Sequence, residues 1–211
     1  MIRLYDYELS GNCYKLRLLM HWLGLPFERV PVDFHPGRAH KSDAFVQNVN
    51  PLGQLPVLDD DGFVLRDAQA GLVYLASRYD TPGGHWYPDD AQARGRIQLW
   101  LSTADDLTRS ISAARLHHSF GLPADLARCE QQGHAALRLL DDTLAEHHYR
   151  GQSWLAGHEP SIADIACFPY AALAGEARFD LRRYPALQAW IHAMRHRPGF
   201  IAMPGIIDPA L

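Results

Sequence analysis

The sequence predicts an α+β unit of order βαβ then ββα over residues 1–80, a linker at 81–90, and an all-α helical bundle over 91–211. Three observations predict it. Short apolar runs of strand length occur only in the first third of the chain. The stretch Thr81-Pro82-Gly83-Gly84-His85-Trp86-Tyr87-Pro88 then breaks all periodicity, as Pro and Gly pairs do. Beyond it every recognisable apolar pattern has the helical period.

The elements follow in order. Ile2 to Tyr5 reads as a strand, and Ser10-Gly11-Asn12 supplies turn and cap residues before a helix whose apolar face holds Leu16, Leu19, Met20 and Leu23. Gly24 and Pro26 close that helix, and Phe27 to Val32 returns as a strand that a right-handed crossover places parallel to the first. A short helix is expected between Pro36 and Asn50. Leu55 to Leu58 and Phe63 to Leu65 flank Asp60-Asp61-Gly62, a tight hairpin signal. A helix from Asp67 to Tyr79 carries Leu72, Val73, Leu75 and Ala76 on its buried stripe. In the second domain, helices are expected at Ile97 to Leu116, Leu126 to His147, Ile162 to Leu173 and Leu187 to Arg195.

Composition bounds the function. With 47% hydrophobic and 21% charged residues, the 211-residue chain has ordinary globular proportions, and its formal net charge of -4 offers no broad basic surface for nucleic acid or an anionic membrane. The N-terminus carries charge at its third residue and lacks the apolar core of a signal peptide, and no run reaches membrane-spanning length. Cys13, Cys129 and Cys167 are odd in number and far apart, which argues against disulfides or structural zinc and for a reducing cytoplasm. His192 and His196 have helical i, i+4 spacing but no third ligand, so no metal site is expected.

Three segments carry a resemblance. They are Leu9-Ser10-Gly11-Asn12-Cys13-Tyr14-Lys15, then His40-Lys41-Ser42-Asp43-Ala44-Phe45 through Asn50-Pro51-Leu52-Gly53-Gln54-Leu55-Pro56-Val57-Leu58, and Pro160-Ser161-Ile162-Ala163-Asp164-Ile165-Ala166. In order and spacing they resemble the cytosolic glutathione transferase superfamily, its bacterial and theta-like members above all, over essentially the whole chain. The resemblance implies a thioredoxin-like first domain, glutathione as co-substrate without a metal, a small electrophilic or disulfide second substrate, and a homodimer. The third segment also reads on its own as a capping box, Ser161 and Asp164 satisfying orphan N–H groups at a helix start.

Glutathione has two carboxylates, an ammonium and a thiol, so a site must hold its ends and stabilise the reactive thiolate. By resemblance the hydroxyl of Ser10 donates to the sulfur, with the first helix dipole assisting. Asn12 is a second candidate, and Cys13 occupies the position of the catalytic cysteine in beta-class relatives. Each has a plain reading as well, cap residues for Ser10 and Asn12 and half-buried packing for Cys13. The resemblance further implies that Pro56 is cis and leaves the backbone of Leu55 to pair with the peptide like an added strand. It assigns the glycine carboxylate to His40, Lys41 and Gln54, although Lys41 alone would pass for a solvated surface lysine, and the γ-glutamyl end to Asp67 and the N–H of Ala68. At that last position the family's serine is missing, removing a hydrogen bond to a charged group worth about 1.5–3 kcal/mol.

These residues imply transfer of glutathione to an electrophilic carbon. Glutathione-dependent disulfide or peroxide reduction through Asn12 or Cys13, and a binding protein that kept the fold without catalysis, are the alternatives.

Overall fold

The computed structural model describes residues 1–207 and divides into two compact units, Met1–Asp80 and the chain from Thr81 onward. The first is an α+β unit and the second is all helical.

In the first unit, β1 (Ile2–Asp6), α1 (Gly11–Trp22) and β2 (Phe27–Pro31) form the βαβ half. A 3₁₀ turn, Ala39–Lys41, leads into α2 (Asp43–Asn48), and β3 (Val57–Asp60), β4 (Phe63–Leu65) and α3 (Ala68–Tyr79) complete the ββα half. The sheet order is β2-β1-β3-β4, with β2 parallel to β1 and both other pairings antiparallel. The turn residues Asp61 and Gly62 have φ of 49° and 93°. Two consecutive positive values give the turn whose twist suits a two-residue hairpin.

Leu4, Leu16, Leu72 and Leu75 are fully buried. Each contributes about 1.5–3 kcal/mol of transfer free energy. Gly71 sets how closely α3 approaches α1, because a Cβ there would lie 2.9 Å from Leu16 Cδ2. At the end of β1 the buried carboxylate of Asp6 accepts from Arg17 Nη1 at 2.5 Å and Arg29 Nε at 2.6 Å. Such a group is tolerable in the interior only because both its oxygens are matched by cations.

The second unit contains α4 (Ala91–Leu107), a π-helical turn (Thr108–Ser112), α5 (Ala113–Phe120), α6 (Leu126–Tyr149), α7 (Ile162–Ala172) and α8 (Pro185–Arg195). The N-caps of α4 and α6 are Asp90 and Asp125, whose carboxylates accept from Ala93 N and Arg128 N at 2.7 and 3.1 Å. Nearly every residue of α7 is buried, as befits a helix that is apolar all round and packs centrally against α4 and α8. Its start is the expected capping box. Asp164 accepts from Ser161 N at 2.9 Å, and its other oxygen takes Leu155 N at 3.0 Å and Trp190 Nε1 at 2.9 Å. Trp100 is core, its Nε1–H donating to Leu155 O at 2.8 Å. No helix among the described residues is long and apolar enough to cross a membrane.

Two local expectations are corrected. The strand expected from Leu55 begins only at Val57, because Pro56 has no N–H to give the ladder. The helix expected over Ile97 to Leu116 starts six residues earlier, at its Asp90 cap, and is interrupted by the π turn. Hydroxyls feed that interruption: Ser110 Oγ donates to Asp106 O at 2.6 Å and Thr108 Oγ1 to Ala104 O at 2.9 Å, competing with backbone donors for those carbonyls.

Candidate functional site

The sheet register brings the candidate residues to one end of the first unit. Tyr5 of β1 pairs with Val57, Asp6 with Pro31, and Leu58 of β3 with Leu65 of β4. The chain therefore leaves β1 toward Ser10, leaves β2 toward His40, enters β3 through Leu55 and leaves β4 toward Asp67, all at the same end of the sheet. Loops gathered at the carboxyl ends of parallel strands are where open α/β sheets bind ligands.

Ser10 is the N-cap of α1, with extended backbone (φ -81°, ψ 116°), and its Oγ accepts from Cys13 N at 3.2 Å. A capping oxygen accepts, so the hydroxyl proton remains to be donated. Next to it, Asn12 Oδ1 is buried and has no hydrogen-bond partner. Cys13 faces the interior with no exposure, and burial together with the nearby Asp6 charge pushes its thiol up to about 12. That is the environment of an inert packing cysteine rather than a nucleophile.

His40 is buried in the 3₁₀ turn, stacked on Phe34 with ring centroids 4.2 Å apart and planes at 15°. Phe34 in turn stacks on Tyr7 at 5.3 Å. His40 Nδ1 is buried without a hydrogen-bond partner. Burial, then the charges of Lys41 and Arg38, hold its pKa below the ordinary value. Lys41 is exposed, and its Nζ donates to Leu52 O at 3.1 Å. Gly53 permits this approach: its φ is +56°, and a Cβ there would stand 2.7 Å from His40 O and 2.9 Å from Lys41 Cδ.

Leu55–Pro56 is a cis peptide. Leu55 packs on the cluster of Val32, Phe45 and Val57, while its backbone N–H and C=O enter none of the described hydrogen bonds. Gln54 is exposed, and its carbonyl accepts from Asn50 Nδ2 at 2.9 Å. Asp67 is the exposed N-cap of α3, accepting from Ala70 N at 2.7 Å, and Ala68 is buried behind it. One acidic oxygen and the first N–H groups of α3 thus meet at this corner.

Two supports escaped the sequence reading. Asn50 is fully buried and orders the segment before Leu55, accepting from Leu52 N at 3.0 Å while holding Gln54 O. Asn-Pro-Leu-Gly is itself a turn signal, and an Asn side chain bonding two residues on is its mechanism. Tyr7 and Phe34, which fix the plane of His40, had no sequence signal, because their stacking depends on loops meeting. Among the described residues no group of three His, Cys, Asp or Glu side chains is placed to hold a metal ion.

Comparison with known proteins adds the following. Residues 4–83 match the glutathione S-transferase N-terminal domain and residues 116–198 the glutathione S-transferase C-terminal domain. The chain is 32% identical over 198 residues to glutathione S-transferase theta-1 of Rattus norvegicus, covering 90% of this chain and 80% of that one. It is 30% identical over 207 residues to glutathione S-transferase 3 of Zea mays, covering 94% and 91%. A solved glutathione S-transferase from Xanthobacter autotrophicus superposes with a TM-score of 0.84 at 34% identity, over 97% of this chain and 98% of that one. Ure2p in complex with glutathione shares the fold at 22% identity, with a TM-score of 0.83.

Proposed function

The chain belongs to the glutathione S-transferase family, with theta-class affinities, and from that premise we propose that its first unit binds reduced glutathione at the end of the sheet described above and transfers it to a small electrophile. The observation that carries this reading is the unengaged backbone N–H and C=O of Leu55, which offer an extended peptide the pairing of an added strand. The other groups suit the rest of the tripeptide. Lys41 brings a cation, Gln54 an amide and His40 a ring nitrogen to one carboxylate. Asp67 meets the ammonium, and the N–H of Ala68 at the start of α3 meets the second carboxylate.

The chemistry is nucleophilic addition or substitution by sulfur. The thiol loses its proton, the thiolate forms the new carbon–sulfur bond, and the leaving group or a proton-accepting carbon takes the displaced electron pair. Ser10 supports this by donating its free hydroxyl proton to the thiolate, stabilising the charged form most where the charge is concentrated. Asn12, at the same helix start, is the second candidate for that role. Cys13 takes no step in this scheme, since its thiol is buried and raised to about 12. We also propose that the enzyme is a cytoplasmic homodimer. Phe63 and Leu99, 51% and 61% exposed, are large apolar side chains that such an interface would cover.

Calorimetric titration of glutathione into the wild-type protein and Asp67→Ala, paired with turnover of alkyl and aryl halides, tests the reading. Binding that weakens in the variant, with conjugate formed by the wild type, supports it. Tight binding without turnover of any electrophile would favour the non-catalytic alternative, and no binding at millimolar ligand would overturn the site.

A further inference from the structure

The last turn of α8 and the residue that closes it carry two histidines four apart, His192 and His196. Residues so spaced share one helix face, with Cβ atoms about 5–6 Å apart. Both are exposed, and their rings lie one against the other with centroids 3.8 Å apart and planes at 31°. Spacing alone left this pair short of a third ligand. A chelate of two imidazoles needs none from the protein, because water fills the open positions around a surface ion.

Hydrogen bonding prepares one ring for that use. His196 Nδ1 lies 2.7 Å from His192 O, so in the neutral ring Nδ1 carries the proton and Nε2 presents its lone pair. Donation of the other ring N–H to a backbone carbonyl is what fixes tautomer and orientation in metal-ligating histidines. Neither ring nitrogen of His192 enters a hydrogen bond among the described residues, so either can turn to the same ion. The carbonyls at a helix C-terminus also favour a cation. The flanking guanidiniums are engaged elsewhere: Arg195 Nε donates to Ile207 O at 2.9 Å, and Arg197 lies over the Trp154 ring at 5.3 Å. The pair His117 and His118 lacks this arrangement, its rings crossing at 80° with centroids 5.4 Å apart.

We propose that His192 and His196 form a surface chelate for a divalent transition-metal ion, Cu(II) before Ni(II) and Zn(II). The site does not rest on the reaction proposed above. Two nitrogens each about 2.0–2.1 Å from one ion stand roughly 3 Å apart. Rings whose centroids are already 3.8 Å apart reach that separation by turning about their side-chain torsions, without backbone movement. Once one imidazole has bound, the other meets the ion at the effective concentration of a tethered ligand. Two nitrogens with water oxygens completing a tetragonal shell suit Cu(II), which also leads the affinity order of divalent ions at imidazole sites. Mg(II) and Ca(II) require oxygen ligands and are not taken. Because unfolding separates the two rings, a bound ion stabilises the folded end of α8.

The test is calorimetric titration of the full-length protein with Cu(II), buffered by glycine and without thiol, with unfolding midpoints read in the presence and absence of the ion. The tightest site is expected to hold one Cu(II) per chain, and the midpoint to rise when it is filled. His192→Gln and His196→Gln keep good helix formers at exposed positions, so both variants stay folded, as their metal-free midpoints will show. Each should weaken that binding by about tenfold or more and remove most of the rise. His117→Gln, in the pair of different geometry, should leave the affinity unchanged. No saturable binding at micromolar Cu(II), or affinity equal to wild type in both α8 variants, would overturn the proposal. So would a loss confined to one of them, which marks a single histidine rather than a chelate, a loss in His117→Gln as large as in His192→Gln, or Mg(II) binding as tightly as Cu(II).

Discussion

Ser10 Oγ stands 3.2 Å from the backbone nitrogen of Cys13 and accepts its hydrogen, so the atom that caps α1 is the one that, in the proposed function, would give its remaining proton to a bound sulfur. The two duties separate experimentally. Ser10→Ala should cost about 1 kcal/mol of stability through the lost cap. It should also lower kcat/KM by about 10²-fold, the usual penalty for removing one oxyanion donor, and move the pH–rate profile to higher pH as the bound thiol becomes less acidic. Ser10→Thr keeps both groups and should stay close to wild type. Denaturant unfolding and a pH–rate series on the two variants distinguish these effects.

Cys13 should behave oppositely. A thiol raised to about 12 is almost wholly protonated at pH 8, so iodoacetamide should leave it unmodified in the folded protein and label it only after denaturation, as mass spectrometry would show. Cys13→Ala should retain near wild-type kcat/KM while losing about 1 kcal/mol of stability as a packed side chain is trimmed. Loss of turnover with stability intact would reinstate a chemical role.

His40 predicts a pH dependence of known sign. Its folded pKa lies below the ordinary value of about 6.5. Its contribution to stability is therefore full above about 6.5 and is lost as pH falls toward the depressed folded value, because the unfolded chain takes the proton first. A carboxylate brought to the ring favours the charged form and raises the pKa again. Binding of S-methylglutathione, which has no thiol proton, should take up protons and tighten as pH is lowered from 7 to 6. Calorimetry in two buffers of different ionisation heat measures the uptake, and His40→Gln should abolish it.

Asp164, in the second unit, offers a stability test. Its carboxyl is raised by burial yet accepts from Leu155 N, Ser161 N and Trp190 Nε1. In Asp164→Asn the amide oxygen can keep two of these donors, but the amide NH₂ then faces Ser161 N–H. One buried donor is left unpaired, at about 1–3 kcal/mol. Asp164→Ala, which abandons all three, should cost more. Chemical denaturation of both variants checks the order.

How far the sequence alone reached differs between the units. The hairpin at Asp61-Gly62 and the capping box at Ser161 were legible because each is local chemistry, a backbone conformation or a cap closed within four residues. The parallel pairing of β1 with β2 followed from handedness. The end of β1 and the start of β3 were less so: pairing lengths depend on which N–H groups find partners, and Pro56 trims the strand from outside the apolar pattern. Ser10, His40 and Asp67 were legible as candidates by resemblance, whereas the depth of Cys13 was not, since a helix start can present or bury its third residue depending on the sheet beneath. Phe34 against His40 and Asn50 beneath Leu55 are contacts between loops, which periodicity does not encode.

The π turn at Thr108–Ser112 acts on everything after it as a change of phase. An α-helix advances about 100° per residue, so one extra residue in the turn rotates the following side chains by roughly that angle about the axis, while α5 continues in nearly the same direction. Ala114 and His118 owe the side they present to this offset. A single-residue deletion between Thr108 and Ser112 would therefore keep the length and course of the long helix almost intact, yet swing the Ala114–His118 face around to different neighbours.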